Sequence, residues 1–153
     1  MSAAFDQLAS EYDRVWTRSA VGHLQREAVW RHIGALFEPG LSILDLGCGT
    51  GEDAVRLMQA GLRVRAIDAS GEMVRIARAR GVDAEILSIE DCSLLYESFD
   101  GILSNFGALN CVAVRRRRSI ACPARTFSSG APVGGQRTLL FLGGISQRIS
   151  ALQ

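Results

Sequence analysis

Leu44-Asp45-Leu46-Gly47-Cys48-Gly49-Thr50-Gly51 is the stretch whose reading decides the fold of this chain. Residues 41–46 read as a short apolar strand that runs without a linker into alternating glycines. Glycine at such a turn lets the backbone take positive φ and approach a ligand closely. Thr50, followed three residues later by Asp53, fits a capping box, so a helix is expected to open at the end of the loop. That helix runs to about Ala60 and stops at Gly61, a natural left-handed cap. A strand, a glycine loop and a helix in that order lie at the carboxyl edge of an open α/β sheet, where such folds bind ligands.

The unit repeats downstream. Residues 62–68 read as a second strand, 71–80 as a helix with Gly81 as its cap, 84–89 as a third strand and 99–105 as a fourth. Strands alternating with short helices make βαβ units and a parallel sheet. Upstream, Phe5, Leu8, Tyr12 and Val15 or Trp16 recur at near-helical spacing, which predicts one amphipathic helix over 3–17 with those residues inward. A second helix over 20–37 is expected to bury Val21, Leu24, Ala28, Val29, Ile33 and Leu36, and Glu38-Pro39-Gly40 stops it.

With 153 residues, 48% hydrophobic and 22% charged, the chain has the size and composition of one globular domain. Its longest uncharged stretch, 101–114, is interrupted by Ser104, Asn105 and Asn110 and is too short and too polar to span a bilayer. No apolar leader follows a basic start, so the expectation is a soluble, cytoplasmic protein. Cys48, Cys92, Cys111 and Cys122 form no C-x-x-C pair and point to buried or loop thiols, with no metal. His23 and His32 read as helix-surface residues without a catalytic partner, and no general base is identifiable.

Charge is distributed unevenly. All 16 acids lie in residues 1–100, which carry −6, whereas 101–153 hold seven arginines and no acid. The arginine run 115–118 lacks interleaved aromatics, so a solvated basic stretch is favoured over a nucleic-acid site.

The glycine loop selects its ligand by charge. Asp68 stands 21 residues after Gly47, at the end of the second strand, where an acid suits the hydroxyls of a ribose. A dinucleotide fingerprint would require glycine at 52, where Glu52 stands. Asp45, Glu52 and Asp53 would also repel a pyrophosphate. S-adenosyl-L-methionine has a ribose, no phosphate, and two cationic centres. The loop's electrostatics favour it.

The motif around Gly47 resembles the first motif of class I S-adenosylmethionine-dependent methyltransferases. Ala66-Ile67-Asp68-Ala69-Ser70-Gly71-Glu72-Met73 is similar to their second-strand motif, and Ser98-Phe99-Asp100-Gly101-Ile102-Leu103-Ser104 to their fourth-strand segment. Tyr12-Asp13 in the N-terminal helix resembles the ubiquinone/menaquinone-type small-molecule branch. The resemblance covers about residues 5–111. It implies that Gly47, Cys48, Gly49 and Gly51 line the methionine moiety with Asp45 near its ammonium. Asp68 would bind the ribose, and Ala69 and Met73 would flank the adenine. Asp91, after the third strand, would lie near the adenine amino group, while Ser104-Asn105-Phe106 would face the methyl-transfer site.

The resulting expectation is an α/β fold, a Rossmann-like parallel sheet flanked by helices, with the C-terminal strands of the methyltransferase core largely missing. Residues 1–111 would hold the cofactor-binding half, and 112–153 an atypical segment with at most one further strand, over 137–142. The loss of acids and of helical periodicity after Cys111 suggests a shifted frame or a truncation. An uncovered sheet edge would then promote self-association. The implied activity is methyl transfer to a small-molecule acceptor. A non-catalytic cofactor-binding remnant and an NAD-binding oxidoreductase are the alternatives.

Overall fold

The computed structural model describes residues 2–34 and 37–105. Strands β1 (Ser42–Leu46), β2 (Arg63–Asp68), β3 (Asp83–Ile86) and β4 (Gly101–Leu103) form one parallel sheet in the order β3-β2-β1-β4. Helices α1 (Ser2–Tyr12) and α2 (Ala20–Gly34) precede the sheet, α3 (Glu52–Gln59) joins β1 to β2, and α4 (Gly71–Ala79) joins β2 to β3. The strand order reverses between β1 and β4, and a ligand crevice opens at such a switch point.

Alternation along the strands assigns the faces. Ile43 and Leu103 point to one side and pack with Val29 and Ile33 of α2 and Leu57 of α3. Ala66 faces the same side, under Ala54 of α3 and Val74 and Ala77 of α4. Leu44, Leu46, Ile67 and Ile102 point to the other side, against Ile89, Cys92, Leu95 and Phe99. Covering both faces is what a parallel sheet requires, and each fully buried Leu or Ile contributes about 1.5–3 kcal/mol of burial free energy. The same alternation places Asp45 and Asp68 on the helical side, at the carboxyl ends of β1 and β2.

The βαβ units agree with the sequence expectation, and Gly61 and Gly81 close α3 and α4 with positive φ of 83° each. Several details differ. The capping box at Thr50 and Asp53 does not form: Gly51 is the N-cap of α3, without a side-chain bond. Thr50 Oγ1 donates instead to Asp13, and the Asp53 carboxylate is taken by α2 and Asn105. β3 ends at Ile86, because after Leu87 N–H donates to Asp68 O the chain turns into a 3₁₀ segment, Ile89–Leu94. β4 is confined to Gly101–Leu103.

The N-terminal helices depart most from expectation. The helix over 3–17 is broken: α1 passes into a π-helical turn, Asp13–Thr17, and of the expected inward stripe Tyr12 is half-buried while the other members face outward. Leu8, Val15 and Trp16 are exposed, Trp16 at 61%, and so are Val21, Leu24 and Ala28 of α2. Among the described residues of α1, Ala9 is the buried one. Side-chain oxygens, not apolar packing, dock α1: Asp6 Oδ1 accepts from Ser70 Oγ at 2.5 Å and from the Glu72 backbone N–H. Leu36, the segment 112–153, its strand over 137–142 and the uncovered edge lie outside the described residues.

Candidate functional site

The glycine loop is folded back over the end of β2. The Gly47 and Cys48 N–H groups both donate to Ile67 O, at 2.8 and 3.0 Å, so the loop crosses the neighbouring strand at its carboxyl end. Gly49 has φ +54°, and a Cβ there would meet nothing within 4 Å among the described residues. Gly51 has φ +82° and a Cβ there would lie 2.9 Å from Ala77 Cβ. Gly49 thus faces open space, whereas Gly51 is required by the packing of α4 against the loop.

Asp68 anchors the loop from the side. Oδ2 accepts from Gly49 N–H and Oδ1 from Ser70 N–H, both at 2.9 Å. Burial raises its pKa against these bonds, which favour the charged form. Asp45 is 2% exposed, and its Oδ2 has no hydrogen-bond partner among the described residues. Its pKa is pushed well up, first by burial and then by the charges of Asp53 and Asp68. Burial, with the charges of Asp45 and Asp68, pushes the Cys48 thiol up as well, so it stays protonated.

Asp53 gathers the β4 side of the crevice. Its Oδ1 accepts from Arg26 Nη1 and from Trp30 Nε1, each at 2.8 Å, and its Oδ2 accepts from Asn105 Nδ2 at 3.0 Å. Helix α2, the start of α3 and the end of β4 therefore meet on one carboxylate. Ser104 is fully buried and its Oγ donates to Leu46 O at 3.2 Å, which ties the ends of β4 and β1 together.

A second tether joins the N-terminal turn to the loop. Asp13 accepts from Thr50 Oγ1 at 2.7 Å and from Thr17 Oγ1, and it pairs with Arg80, which also holds Glu52. Burial works against the Asp13 charge, but the Thr50 and Thr17 hydroxyls and Arg80 outweigh it and hold the pKa below the usual value.

The structure brings Asp45, Gly47, Cys48, Gly49, Gly51 and Asp68 together at one edge, with Ser104 beside them. Ala69 is exposed, immediately after Asp68, and Met73 is buried on the inner side of α4. Asp91 is exposed in the 3₁₀ segment, where its carboxylate accepts from Ser88 Oγ at 2.7 Å. Sequence reasoning missed Arg26, Trp30 and the role of Asp53. A signal existed: Arg26 lies three residues before Val29 and seven before Ile33, on the stripe of α2 that faces the sheet. A charged residue on a buried stripe needs a partner.

Residues 43–128 match the methyltransferase domain family. This chain belongs to that family. Over 123 residues it is 36% identical to a demethylmenaquinone methyltransferase of Clavibacter sepedonicus, covering 76% of this chain and 49% of the relative. Over 119 residues it is 33% identical to a malonyl-[acyl-carrier protein] O-methyltransferase of Pectobacterium atrosepticum, covering 76% and 45%. A solved SAM-dependent methyltransferase of Thermotoga maritima is similar at 29% identity and a TM-score of 0.53, over 69% of this chain and 47% of that one. The chain thus spans about half the length of the curated relatives it matches. Among the described residues, no helix of this methyltransferase domain is long and apolar enough to cross a membrane.

Proposed function

We propose that the chain binds S-adenosyl-L-methionine along the carboxyl edge of the sheet and transfers its methyl group to a small-molecule acceptor. The observation that carries the reading is the buried Asp45 oxygen, which has no hydrogen-bond partner among the described residues and lies in the field of Asp53 and Asp68. A buried carboxylate is costly without a compensating cation, and an ammonium supplies one. A pyrophosphate would add like charge to the same place, which disfavours a nicotinamide dinucleotide.

The proposed site residues are Asp45, Gly47, Cys48, Gly49, Gly51, Asp68, Ala69, Met73, Asp91 and Ser104. Bound cofactor supplies a methyl group already activated on a sulfonium sulfur. The chain's own contribution is alignment. Asp68 receives the ribose hydroxyls while its bonds to Gly49 and Ser70 hold the carboxylate still. The loop glycines let the backbone close on the methionine end, and the β1–β4 tie through Ser104 fixes the transfer side. No side chain is assigned as general base. The acceptor class follows relatives named for a demethylated menaquinone and for a malonyl-acyl carrier.

Isothermal titration with S-adenosylmethionine and with NAD tests the reading: binding of the first and not the second is expected. The reverse result sinks it. Asp68→Ala should weaken S-adenosylmethionine binding by about 1.5–3 kcal/mol, and an unchanged Kd in a folded variant removes Asp68 from the site. The alternative is cofactor binding without transfer, and an acceptor screen with labelled cofactor separates the two. The proposal also includes a cytoplasmic location, no nucleic-acid partner, a boundary near residue 111 and self-association through the sheet edge beyond β4. Gel filtration checks the last: a monomer at micromolar concentration overturns it.

A further inference from the structure

The Asp68 carboxylate belongs to a closed ring of contacts, and helix α1 forms one side of that ring. Asp68 holds one N–H from each of the two loops at this edge, Gly49 through Oδ2 and Ser70 through Oδ1. Thr50, the residue after Gly49, donates its hydroxyl to Asp13, and Ser70 donates its own to Asp6. Asp6 and Asp13 are seven residues apart, about two turns of helix, so both project from one side of α1 and its turn. The bonds therefore run from Asp68 through Gly49 and Thr50 to Asp13, along the helix to Asp6, and back through Ser70 to Asp68. Helix α4 braces both corners: the Glu72 N–H donates to Asp6, and Arg80 pairs with Asp13. Leu8, Val15 and Trp16 meanwhile stay exposed, so directional polar bonds hold this segment in place.

We propose that α1 and its turn are a strap that sets the spacing of the two loops, with Asp6 and Asp13 as positioning residues for the cofactor. The inference rests on the cofactor reading above, in which Asp68 takes the ribose and neither Asp6 nor Asp13 is a site residue. Each Asp68 oxygen is tied to a different loop, so a change in the distance between the loops turns the carboxylate away from the ribose hydroxyls. The strap spans that distance from outside. A ligand on Asp68 spans it from inside, so occupancy of the crevice and closure of the strap strengthen one another, as linkage requires. A ring also differs from two independent tethers, because breaking either link opens it and the second break then costs little more.

The test is a double-mutant cycle on the full chain, read as the Kd for S-adenosylmethionine. Asp6→Ala leaves Ser70 as the cap of Met73 N–H, and Asp13→Ala leaves Arg80 on Glu52, so both variants keep the contacts that shape α4. Each single variant should weaken binding about tenfold, and the double variant should also lose about tenfold, where independent tethers would multiply to about a hundredfold. Asp13→Asn, which keeps an acceptor for Thr50, should recover part of the loss. Multiplying losses, or dissociation constants unchanged in folded single variants, overturn the strap and leave the cofactor reading intact; a role confined to stability would give the second result. Wild type that binds no S-adenosylmethionine overturns both. Should a variant fail to fold, amide hydrogen exchange of wild type decides: saturating S-adenosylmethionine should slow exchange along α1, and unchanged exchange there overturns the strap.

Discussion

Helices α3 and α1 are attached to the same core by opposite means. Helix α3 lays Ala54 and Leu57 on the sheet and keeps Arg56 outside, over the Trp30 ring at 5.3 Å. Helix α1 turns Leu8 outward, buries Ala9, and is held by Asp6 on the start of α4. The π-helical turn that follows continues the pattern, with Asp13 rather than Val15 or Trp16 making the inward contacts. Apolar spacing therefore identifies a helix in both cases. It identifies the inward face only where the partner surface is itself apolar, as the sheet is and the rim of the crevice is not.

The sharpest break of this contrast is Asp53→Ala. It removes the carboxylate that accepts from the Arg26 guanidinium, the Trp30 indole and the Asn105 amide, and thermal or urea unfolding should show a loss of about 3–5 kcal/mol. A loss below about 1 kcal/mol would show that the cluster is far wetter than its burial implies. Leu57→Ala, on the apolar attachment of α3, should cost about 2–5 kcal/mol by the same measurement. Gly51→Ala should cost about 2–4 kcal/mol, from the left-handed φ plus the clash with Ala77, whereas Gly49→Ala should show only the strain, about 1–2 kcal/mol. Equal costs at the two glycines would mean that α4 does not press on the loop.

Asp45 gives a pH signature. Its native pKa is raised by burial and by Asp53 and Asp68, so the folded state holds the proton more tightly than the unfolded chain does. Stability from this group is present below the ordinary carboxylate pKa and declines as pH rises through the elevated native value. Asp45→Asn should flatten that decline and raise the Tm at pH 7 while weakening S-adenosylmethionine binding. Cofactor binding should in turn expel a proton, visible as a dependence of the titration heat on the buffer's ionisation enthalpy. A variant less stable than wild type at pH 7 would remove the premise. The smallest effects belong to the outward stripe of α1 and its turn: Leu8→Ser and Trp16→Ser should each change stability by no more than about 0.5 kcal/mol.

The sheet and the glycine loop were legible because each residue there obeys one local rule. Alternation gives the strand faces, and positive φ gives the glycines at 51, 61 and 81. The place of Asp68 at the end of β2 could be read for the same reason, since it ends a strand at a fixed distance from the loop. The Asp53 cluster was not legible. Its members come from positions 26, 30, 53 and 105, and nothing in their local spacing pairs them. Thr50 and Asp53 misled reading for the same cause: both match a capping pattern, but longer-range partners claim their side chains. A local signal lost to a tertiary one.

The two tryptophans of the chain report on different places. Trp16 stands in solvent, while Trp30 is half-buried with its indole N–H on the Asp53 carboxylate. Iodide should therefore quench one emission component readily and leave the other, which carries the electrostatic state of the crevice in its wavelength. A Trp16→Phe chain would then be its own fluorescent sensor, with any molecule that enters beside Asp53 shifting a single, unlabelled signal.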